Sequence, residues 1–218
     1  HFIGIGGSGM SPLAEILRAR GHTVSGSDEK VSETTSRLSA MGVRICSGHD
    51  AKNVAGARCL VPSSAIKDSN PELVEGRALG LHLVRRGDLL DMLMATHSLR
   101  IAVSGSHGKT TTTAMVAGIL VAAGYDPTAL VGGKLKGSQS GARVGDGDAF
   151  VAEADESDRS FLKLHPTLAL VTNVDREHLD TYADMADVTA AFSQFASGVP
   201  SQGRAILCAD NPGTARIA

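Results

Sequence analysis

Short apolar runs along the chain alternate with stretches in which apolar residues recur three or four positions apart. The first run lies within His1–Gly6, and the stretch after it places Leu13, Ile16 and Leu17 on one face of a helix that ends near Gly21. A strand followed by an amphipathic helix recurs along the chain. The pattern therefore predicts an α/β fold built on parallel sheets.

The same alternation divides the chain into two predicted domains. In the first we expect strands at 24–26, 43–46, 57–61 and 82–84 and helices at 33–41, 71–79 and 88–95. In the second we expect strands at 99–103, 149–152 and 168–172, a polar loop at 132–147, and a helix ending at Gly124 that is apolar on nearly all sides and hence buried on both sides. With 96–98 as linker, a Rossmann-like domain spans 1–96 and a P-loop α/β domain spans 99–218.

The second domain opens on a strand that leads through a glycine turn into a helix. Gly105 and Gly108 allow backbone N–H groups to surround an anion at the start of that helix. Lys109 adds a positive charge, and Thr110 places a hydroxyl where a phosphate-bound Mg²⁺ needs an oxygen ligand. This order predicts a P-loop, although Val103 stands where the usual motif has glycine. An ordinary surface turn is the alternative.

Another glycine turn follows the first predicted strand. Residues Gly4–Gly9 fit the pattern G-x-G-x-x-G, and Asp28 lies nineteen residues further on, where a dinucleotide-binding fold places its ribose-binding acid. Alone, these features indicate an NAD-dependent oxidoreductase, but the same turn can hold any diphosphate or be purely structural. Ser63 and Ser64 follow a later strand, where small residues either line such a crevice or form a plain loop.

Two acidic segments follow strands of the second domain. Four carboxylates lie within Glu153–Asp158, and a second group of acids with His178 lies within Asn173–Asp180. Like charges at this density repel one another unless a cation neutralises them or water solvates them. Because parallel strands carry their ligands at one edge, both segments are predicted to meet the P-loop in a crevice suited to Mg²⁺-ATP.

Composition narrows the functional classes. The 218 residues carry a net charge of −2, which gives no electrostatic reason to expect nucleic acid or an anionic membrane as a partner. Three scattered cysteines favour a reducing compartment over a metal cluster, and no apolar run approaches the ~18 residues of a membrane span. A soluble cytoplasmic protein is the expectation. Both ends of the chain look cut.

Several long motifs resemble those of the Mur ligases, ATP-dependent enzymes that add amino acids to a UDP-linked muramic acid in bacterial cell-wall synthesis. In order, they read His-Phe-Ile-Gly-Ile-Gly-Gly-Ser-Gly-Met, Ser-Gly-Ser-Asp, Ser-Ser-Ala-Ile, Gly-Ser-His-Gly-Lys-Thr-Thr-Thr-Thr-Ala-Met, Glu-Ala-Asp-Glu-Ser-Asp and Thr-Asn-Val-Asp-Arg-Glu-His-Leu-Asp. The resemblance covers the whole chain, and the family's shortened P-loop accounts for Val103.

The resemblance also implies roles for individual residues. ATP would bind to Gly105, Ser106, His107, Gly108, Lys109, Thr110 and Thr111. Thr110 and Glu153 would ligate Mg²⁺ and His178 a second Mg²⁺, with Lys109, Glu153 and His178 as the catalytic set. The UDP-sugar would contact Gly6, Gly7, Ser8, Gly9, Met10, Ser27, Asp28, Ser63 and Ser64. Some sister ligases use a carbamylated lysine near the second metal, whereas this chain has no lysine after Lys163.

Within the family, the motifs are most similar to the branch that joins L-alanine to UDP-N-acetylmuramic acid. The implied reaction transfers the ATP γ-phosphoryl group to the muramic acid carboxylate, and the alanine amine then attacks the acyl phosphate. A ligase that attaches a tripeptide to the same sugar is the alternative within the family, and a nucleotide-binding module without catalysis is the alternative outside it. The resemblance also implies that the central domain is incomplete, that a C-terminal amino-acid-binding domain is absent, and that this chain alone is inactive.

Overall fold

A computed structural model describes residues 1–135, 139–178 and 180–217. Lys136 of the predicted polar loop and Leu179 of the second acidic segment lie outside these ranges. The chain separates into two compact units, His1–Leu89 and Leu90–Ala218. The division falls inside helix α4 (Arg86–Met94), shortly before the predicted linker, and the domain limits given above stay a prediction.

The first unit is built on a five-stranded parallel sheet. Its elements are β1 Phe2–Ile3, α1 Ser11–Ala19, β2 Ser25–Asp28, α2 Glu33–Ala40, β3 Arg44–Ser47, β4 Cys59–Pro62, α3 Pro71–Ala78 and β5 His82–Leu83. The strand order is β3-β2-β1-β4-β5, so the chain leaves β1 in one direction and later returns to its other side. Ligand clefts form at such a switch point, beyond the carboxyl end of β1.

Strand β1 is shorter than the sequence pattern predicts. It covers Phe2–Ile3 instead of His1–Gly6, because Gly4 adopts a positive φ of 78° and turns the chain out of the sheet. Ile3 remains fully buried and packs with Leu60 and Leu73 in the core of this unit. The early turn brings the glycine segment directly over the end of the strand.

The second unit contains a six-stranded sheet. Its elements are β6 Leu99–Ser104, α5 Lys109–Ala122, β7 Thr128–Leu130, β8 Ala142–Arg143, β9 Ala149–Glu153, β10 Leu168–Val171, α6 Met185–Ser197 and β11 Arg204–Leu207. The order is β11-β10-β6-β9-β7-β8, with every pair parallel except β7 and β8. Because β6 lies between β9 and β10, the P-loop and both acidic segments leave the sheet at neighbouring strand ends. This confirms the predicted α/β class with parallel sheets.

Two local predictions for the second unit are wrong. The segment predicted as a loop at 132–147 contains β8, which pairs with β7 in the antiparallel direction. Helix α5 is not buried on both sides: Met115 and Ile119 are 62% and 65% exposed, and its buried residues are Thr113 and Ala117. The main packing partners of α5 are the strands β6, β7 and β9. No helix in these ranges combines the length and the apolar character needed to cross a bilayer.

Substitution of Gly105 should destabilise the second unit, whereas the same change at Gly118 should not. Gly105 has φ of 134°, and a Cβ there would overlap Thr172 Oγ1. We expect Gly105→Ala to lower the free energy of unfolding by about 1–3 kcal/mol. Gly118 lies within α5 with no atom of the described residues near its Cβ position, so Gly118→Ala should raise stability by ~0.5–1 kcal/mol. Urea unfolding of both variants measures the difference, and equal midpoints would contradict it.

Candidate active site

The P-loop is held against the segment that follows β10. The backbone N–H of His107 donates to Asn173 Oδ1 at 2.7 Å, and that of Ser106 donates to the Asn173 carbonyl at 3.2 Å. The Asp175 N–H donates in return to Ser106 Oγ at 2.9 Å. Gly108 adopts a left-handed conformation at the start of α5. These bonds hold the loop against the segment that follows β10.

Lys109 is folded back into the loop. Its Nζ donates to the carbonyls of Gly105 at 2.7 Å and Ser106 at 3.2 Å, and it forms an ion pair with Glu156 Oε1 at 2.8 Å. The lysine side chain is 15% exposed, so this pair is largely shielded from water. The Lys109 ammonium group therefore lies at the predicted phosphate site but is bound to oxygen atoms of the protein. The predicted ATP contact Thr111, in the first turn of α5, is exposed.

Two of the predicted metal ligands are adjacent. Thr110 Oγ1 donates to Glu153 Oε2 at 2.8 Å, which joins the start of α5 to the end of β9. The same carboxylate oxygen accepts the Gly132 N–H at 2.7 Å. A side chain at position 132 would crowd this carboxylate, since a Cβ there would lie 2.8 Å from Glu153 Oε1. A hydroxyl and a carboxylate thus lie side by side at the sheet edge.

Glu156 is the central buried group of the site. Its side chain is 2% exposed, and its Oε1 lies 2.8 Å from Lys109 Nζ and 3.4 Å from His178 Nε2. Its Oε2 has no hydrogen-bond partner among the described residues. Burial raises the pKa of the Glu156 carboxyl, while the hydrogen bond from Lys109 acts in the opposite direction. The Lys109 ammonium thus lies beside one carboxylate oxygen, while the other oxygen is buried without a hydrogen-bond partner among the described residues.

The backbone around Glu156 is fixed by Tyr182. The Tyr182 hydroxyl donates to the Glu156 carbonyl at 2.7 Å, and burial raises the pKa of Tyr182 to about 12, so the donor proton stays in place at neutral pH. Arg159 covers the tyrosine ring at 4.5 Å and pairs with Asp187 at the start of α6. These contacts tie the first acidic segment to α6.

Some of these groups could hold a divalent cation. Donor atoms of Glu156, Glu177 and His178 lie within 4.8 Å of one another, and Glu156 Oε2 is a buried acceptor without a partner among the described residues. Carboxylate oxygens are the ligands that Mg²⁺ prefers, and one imidazole is acceptable beside them. The donor chemistry fits Mg²⁺ at this cluster as it does at Thr110 and Glu153.

Sequence reasoning assigned no role to Glu156 or Glu177. Both lie in the acidic segments that the pattern singled out, so the density of carboxylates was the available signal. Which carboxylate turns inward depends on the turn after β9, where Ala154 N–H still bonds to Val103 and Asp155 caps the Ser157 N–H. That geometry is not encoded in residue spacing.

An open cleft of about 570 Å³ lies beyond the carboxyl end of β1 in the first unit. Of the residues predicted to contact the UDP-sugar, it is lined by Gly6, Gly7, Asp28 and Ser63. Asp28 uses both carboxylate oxygens locally: Oδ2 accepts the Gly6 N–H at 2.8 Å and Oδ1 accepts the Lys30 N–H at 3.3 Å. The cleft therefore combines a glycine turn with an acid that braces it.

The other residues predicted there do not line this cleft. Ser27 is fully buried because alternate residues of β2 face opposite sides, and its Oγ donates to Glu72 Oε2 at 2.5 Å. Met10 is 2% exposed and belongs to the buried core, and it is not among the described residues that line the cleft. Ser8, Gly9 and Ser64 are likewise not among the described residues of the lining.

Four polar lining residues were not anticipated by the sequence reasoning. Glu29, Lys30, Ser32 and His49 all border the cleft, so an acid and a lysine lie side by side in its lining. His49 Nδ1 lies 3.0 Å from Ser27 Oγ and 3.3 Å from Glu72 Oε2, so buried groups fix its ring. The pattern Ser-Asp-Glu-Lys at the end of β2 was the signal that could have identified Lys30.

Comparison with known proteins decides the family. The profile described as "Mur ligase family, catalytic domain" matches residues 1–98, and the profile described as "Mur ligase middle domain" matches residues 103–218. The chain belongs to the Mur ligase family. The two Mur ligase matches cover nearly the whole chain, and together they include the cleft of the first unit and the P-loop site of the second.

Individual Mur ligases extend the comparison. A UDP-N-acetylmuramate–L-alanine ligase of Sorangium cellulosum is 56% identical over 97% of this chain and 45% of its own length. The crystal structure of UDP-N-acetylmuramate-alanine ligase from Thermotoga maritima matches all of this chain and 50% of its own with a TM-score of 0.91 and 30% identity. A ligase of Neisseria for UDP-N-acetylmuramate and L-alanyl-γ-D-glutamyl-meso-diaminopimelate gives a TM-score of 0.90 at 28% identity, covering 100% of this chain and 73% of its own. The chain spans less than half the length of the Sorangium relative.

Proposed function

We propose that the protein carrying this chain is an ATP-dependent ligase that joins L-alanine to the carboxylate of UDP-N-acetylmuramic acid during peptidoglycan synthesis. The observation that carries this proposal is the 56% identity, over 97% of the chain, to a relative named for that reaction. A cytoplasmic location is part of the proposal and agrees with the free cysteines Cys46, Cys59 and Cys208.

In this proposal the second unit binds ATP and Mg²⁺. The P-loop residues 105–111 surround the phosphates, and Lys109 leaves its present partners to contact them. Thr110 and Glu153 hold one Mg²⁺, and His178 contributes to holding a second. When bound, Mg²⁺ neutralises phosphate charge and orients the γ-phosphoryl group. Support comes from the 2.8 Å contact between Thr110 and Glu153 and from the position of Lys109 beside the P-loop carbonyls.

The proposed chemistry requires charge neutralisation and alignment more than a protein nucleophile. The muramic acid carboxylate attacks the γ-phosphorus of ATP, ADP leaves, and an acyl phosphate forms. The alanine amine then attacks the acyl carbon, and phosphate leaves as the peptide bond is made. Once turned toward the nucleotide, Lys109 supplies a positive charge next to the phosphoryl group, and such a contact acts most strongly where water is excluded.

The first unit binds the UDP-sugar in this proposal. The Gly6–Met10 turn lies at the switch point of the sheet, where phosphate groups bind in related α/β folds. Lys30 at the rim of the cleft adds the positive charge that a diphosphate requires. Asp28 and Ser63 complete the lining toward the uridine, while Asp28 keeps the Gly6 backbone in place.

A ligase for a tripeptide is the second candidate, because the Neisseria structure has nearly the same TM-score as the alanine ligase from Thermotoga. The fold alone does not separate the two specificities. The two solved structures are nearly equal in identity as well, at 30% for the alanine ligase and 28% for the tripeptide ligase. The 56% identity to the Sorangium alanine ligase is what favours alanine.

The test is phosphate release from ATP by the full-length protein across a matrix of UDP-sugars and acceptors. We expect release only when UDP-N-acetylmuramic acid and L-alanine are both present. Dependence on the tripeptide instead of alanine would favour the second candidate. Reduction of NAD by this protein without ATP use would contradict both ligase assignments.

A further inference from the structure

The two oxygens of the buried Glu156 carboxylate differ in their hydrogen bonding. Oε1 is bound by Lys109 at 2.8 Å and lies 3.4 Å from His178 Nε2. Oε2 is buried and has no hydrogen-bond partner among the described residues. Buried acceptors are rarely left in this way, so an unpaired oxygen of an acid indicates a ligand that is bound in another state.

Lys109 cannot pair with Glu156 and contact the nucleotide phosphates at the same time. A carboxylate that is 2% exposed needs a positive partner, because an unpaired charge is strongly disfavoured in the interior. In a P-loop the same lysine is needed at the nucleotide phosphates. When Lys109 turns toward phosphate, its ion pair with Glu156 is lost, and another cation must take its place for the carboxylate to stay charged.

We propose that Glu156 is a cation-exchange point, at which the Lys109 ammonium occupies the place of a divalent cation until the nucleotide binds. The cation then binds Glu156 together with His178, and Lys109 is released to the phosphates. Glu177, whose donor atom lies within 4.8 Å of those of Glu156 and His178, is the third candidate ligand. This inference rests on the proposed function only for the identity of the nucleotide site.

The exchange predicts competition between Lys109 and the metal ion in the absence of nucleotide. Removal of the lysine charge should therefore tighten metal binding, although loss of a P-loop lysine would ordinarily be expected to weaken ligand binding. Removal of the Glu156 charge should weaken metal binding. A purely structural Lys109–Glu156 pair predicts neither effect, because the metal would then bind elsewhere.

The experiment titrates the 218-residue chain with Mn²⁺ alone and measures free Mn²⁺ by electron paramagnetic resonance. We expect Glu156→Gln to weaken binding by about 10-fold or more, because it replaces a charged ligand by a neutral one and even the loss of a group that orients a ligand has an effect of that size. Asp158→Asn is the matched control, because it removes an equal charge two residues away from an exposed position. It should leave the affinity within about twofold, since an exposed charge at this distance is screened by solvent.

The decisive variant is Lys109→Met, for which we expect Mn²⁺ binding to be roughly tenfold tighter, in the usual range for coupled sites. The double variant Lys109→Met/Glu156→Gln should lose that gain. If Lys109→Met does not fold without metal, added Mn²⁺ should restore its thermal transition. Equal Mn²⁺ affinities for Glu156→Gln and Asp158→Asn would overturn the proposal. So would unchanged or weaker Mn²⁺ binding by Lys109→Met, or, if that variant is unfolded without metal, a failure of Mn²⁺ to restore its thermal transition. Because no turnover is measured, these results are independent of the ligase reaction.

Discussion

The full-length protein with Lys109→Met should lose ATP turnover by about 100-fold or more, the usual effect of removing one charge contact to a transition state. Lys109 is the ammonium group located at the P-loop, and the side chain paired with it, Glu156, is negative, as is Glu153 beside Thr110. The described groups that contact Lys109 are two carbonyls and a carboxylate, so none of them can replace its positive charge. Phosphate release at saturating substrates measures the loss.

Folding must be separated from chemistry in this variant. Lys109→Met leaves Glu156 buried without its ion-pair partner, which costs about 3 kcal/mol or more when the pair is buried. The double variant Lys109→Met/Glu156→Gln removes both charges and should recover most of that stability without recovering turnover. Lys52→Met is the matched control, because its pair with Asp50 is exposed, and it should leave turnover unchanged. Near-normal turnover of folded Lys109→Met would contradict the P-loop assignment.

The sequence predicted which segments meet at the site, because parallel strands place the residues that follow them at the same edge of the sheet. The strands that precede Gly105, Glu153 and Asn173 were all expected to be parallel, so their carboxyl ends had to reach the same edge. The pairing of β6 with β9 and with β10 confirms this expectation. Hydrophobic periodicity was sufficient for this level of the fold, since it reports which segments are buried strands.

Individual side-chain partners could not be obtained in the same way. Ser27 and Asp28 are neighbours in one motif, yet strand alternation sends Ser27 to Glu72 and Asp28 to the cleft. Similarly, the apolar residues around α5 predict a helix that is buried on both sides, but they do not show which elements pack against it. Ile119 is exposed in the structure. The pairing of Lys109 with Glu156 depends on a tight turn after β9 and has no signature in spacing.

The first unit should bind UDP-N-acetylmuramic acid and discriminate against NAD. In a dinucleotide-binding fold, the acid at the end of the second strand accepts hydrogen bonds from the ribose hydroxyls. Here Asp28 already accepts the N–H groups of Gly6 at 2.8 Å and Lys30 at 3.3 Å, so it has fewer acceptor positions left for a pair of ribose hydroxyls. The place beside the uridine that is proposed for Asp28 needs no such pair of hydrogen bonds. We expect NAD to bind at least about 10-fold more weakly, which corresponds to the loss of one hydrogen bond to a charged group.

Calorimetry with UDP-N-acetylmuramic acid, UDP and NAD measures this discrimination in the 218-residue chain. Lys30→Met should weaken UDP-sugar binding by about 10-fold if its ammonium contacts the diphosphate, because a charged hydrogen bond contributes roughly 1.5 kcal/mol or more. Lys67→Met is the matched control, since Lys67 is exposed and does not line the cleft among the described residues. Similar affinities for UDP and for UDP-N-acetylmuramic acid would show that the protein recognises the nucleotide and not the sugar. Micromolar binding of NAD with none of the UDP-sugar would reverse the assignment, because the glycine turn would then act as a dinucleotide site.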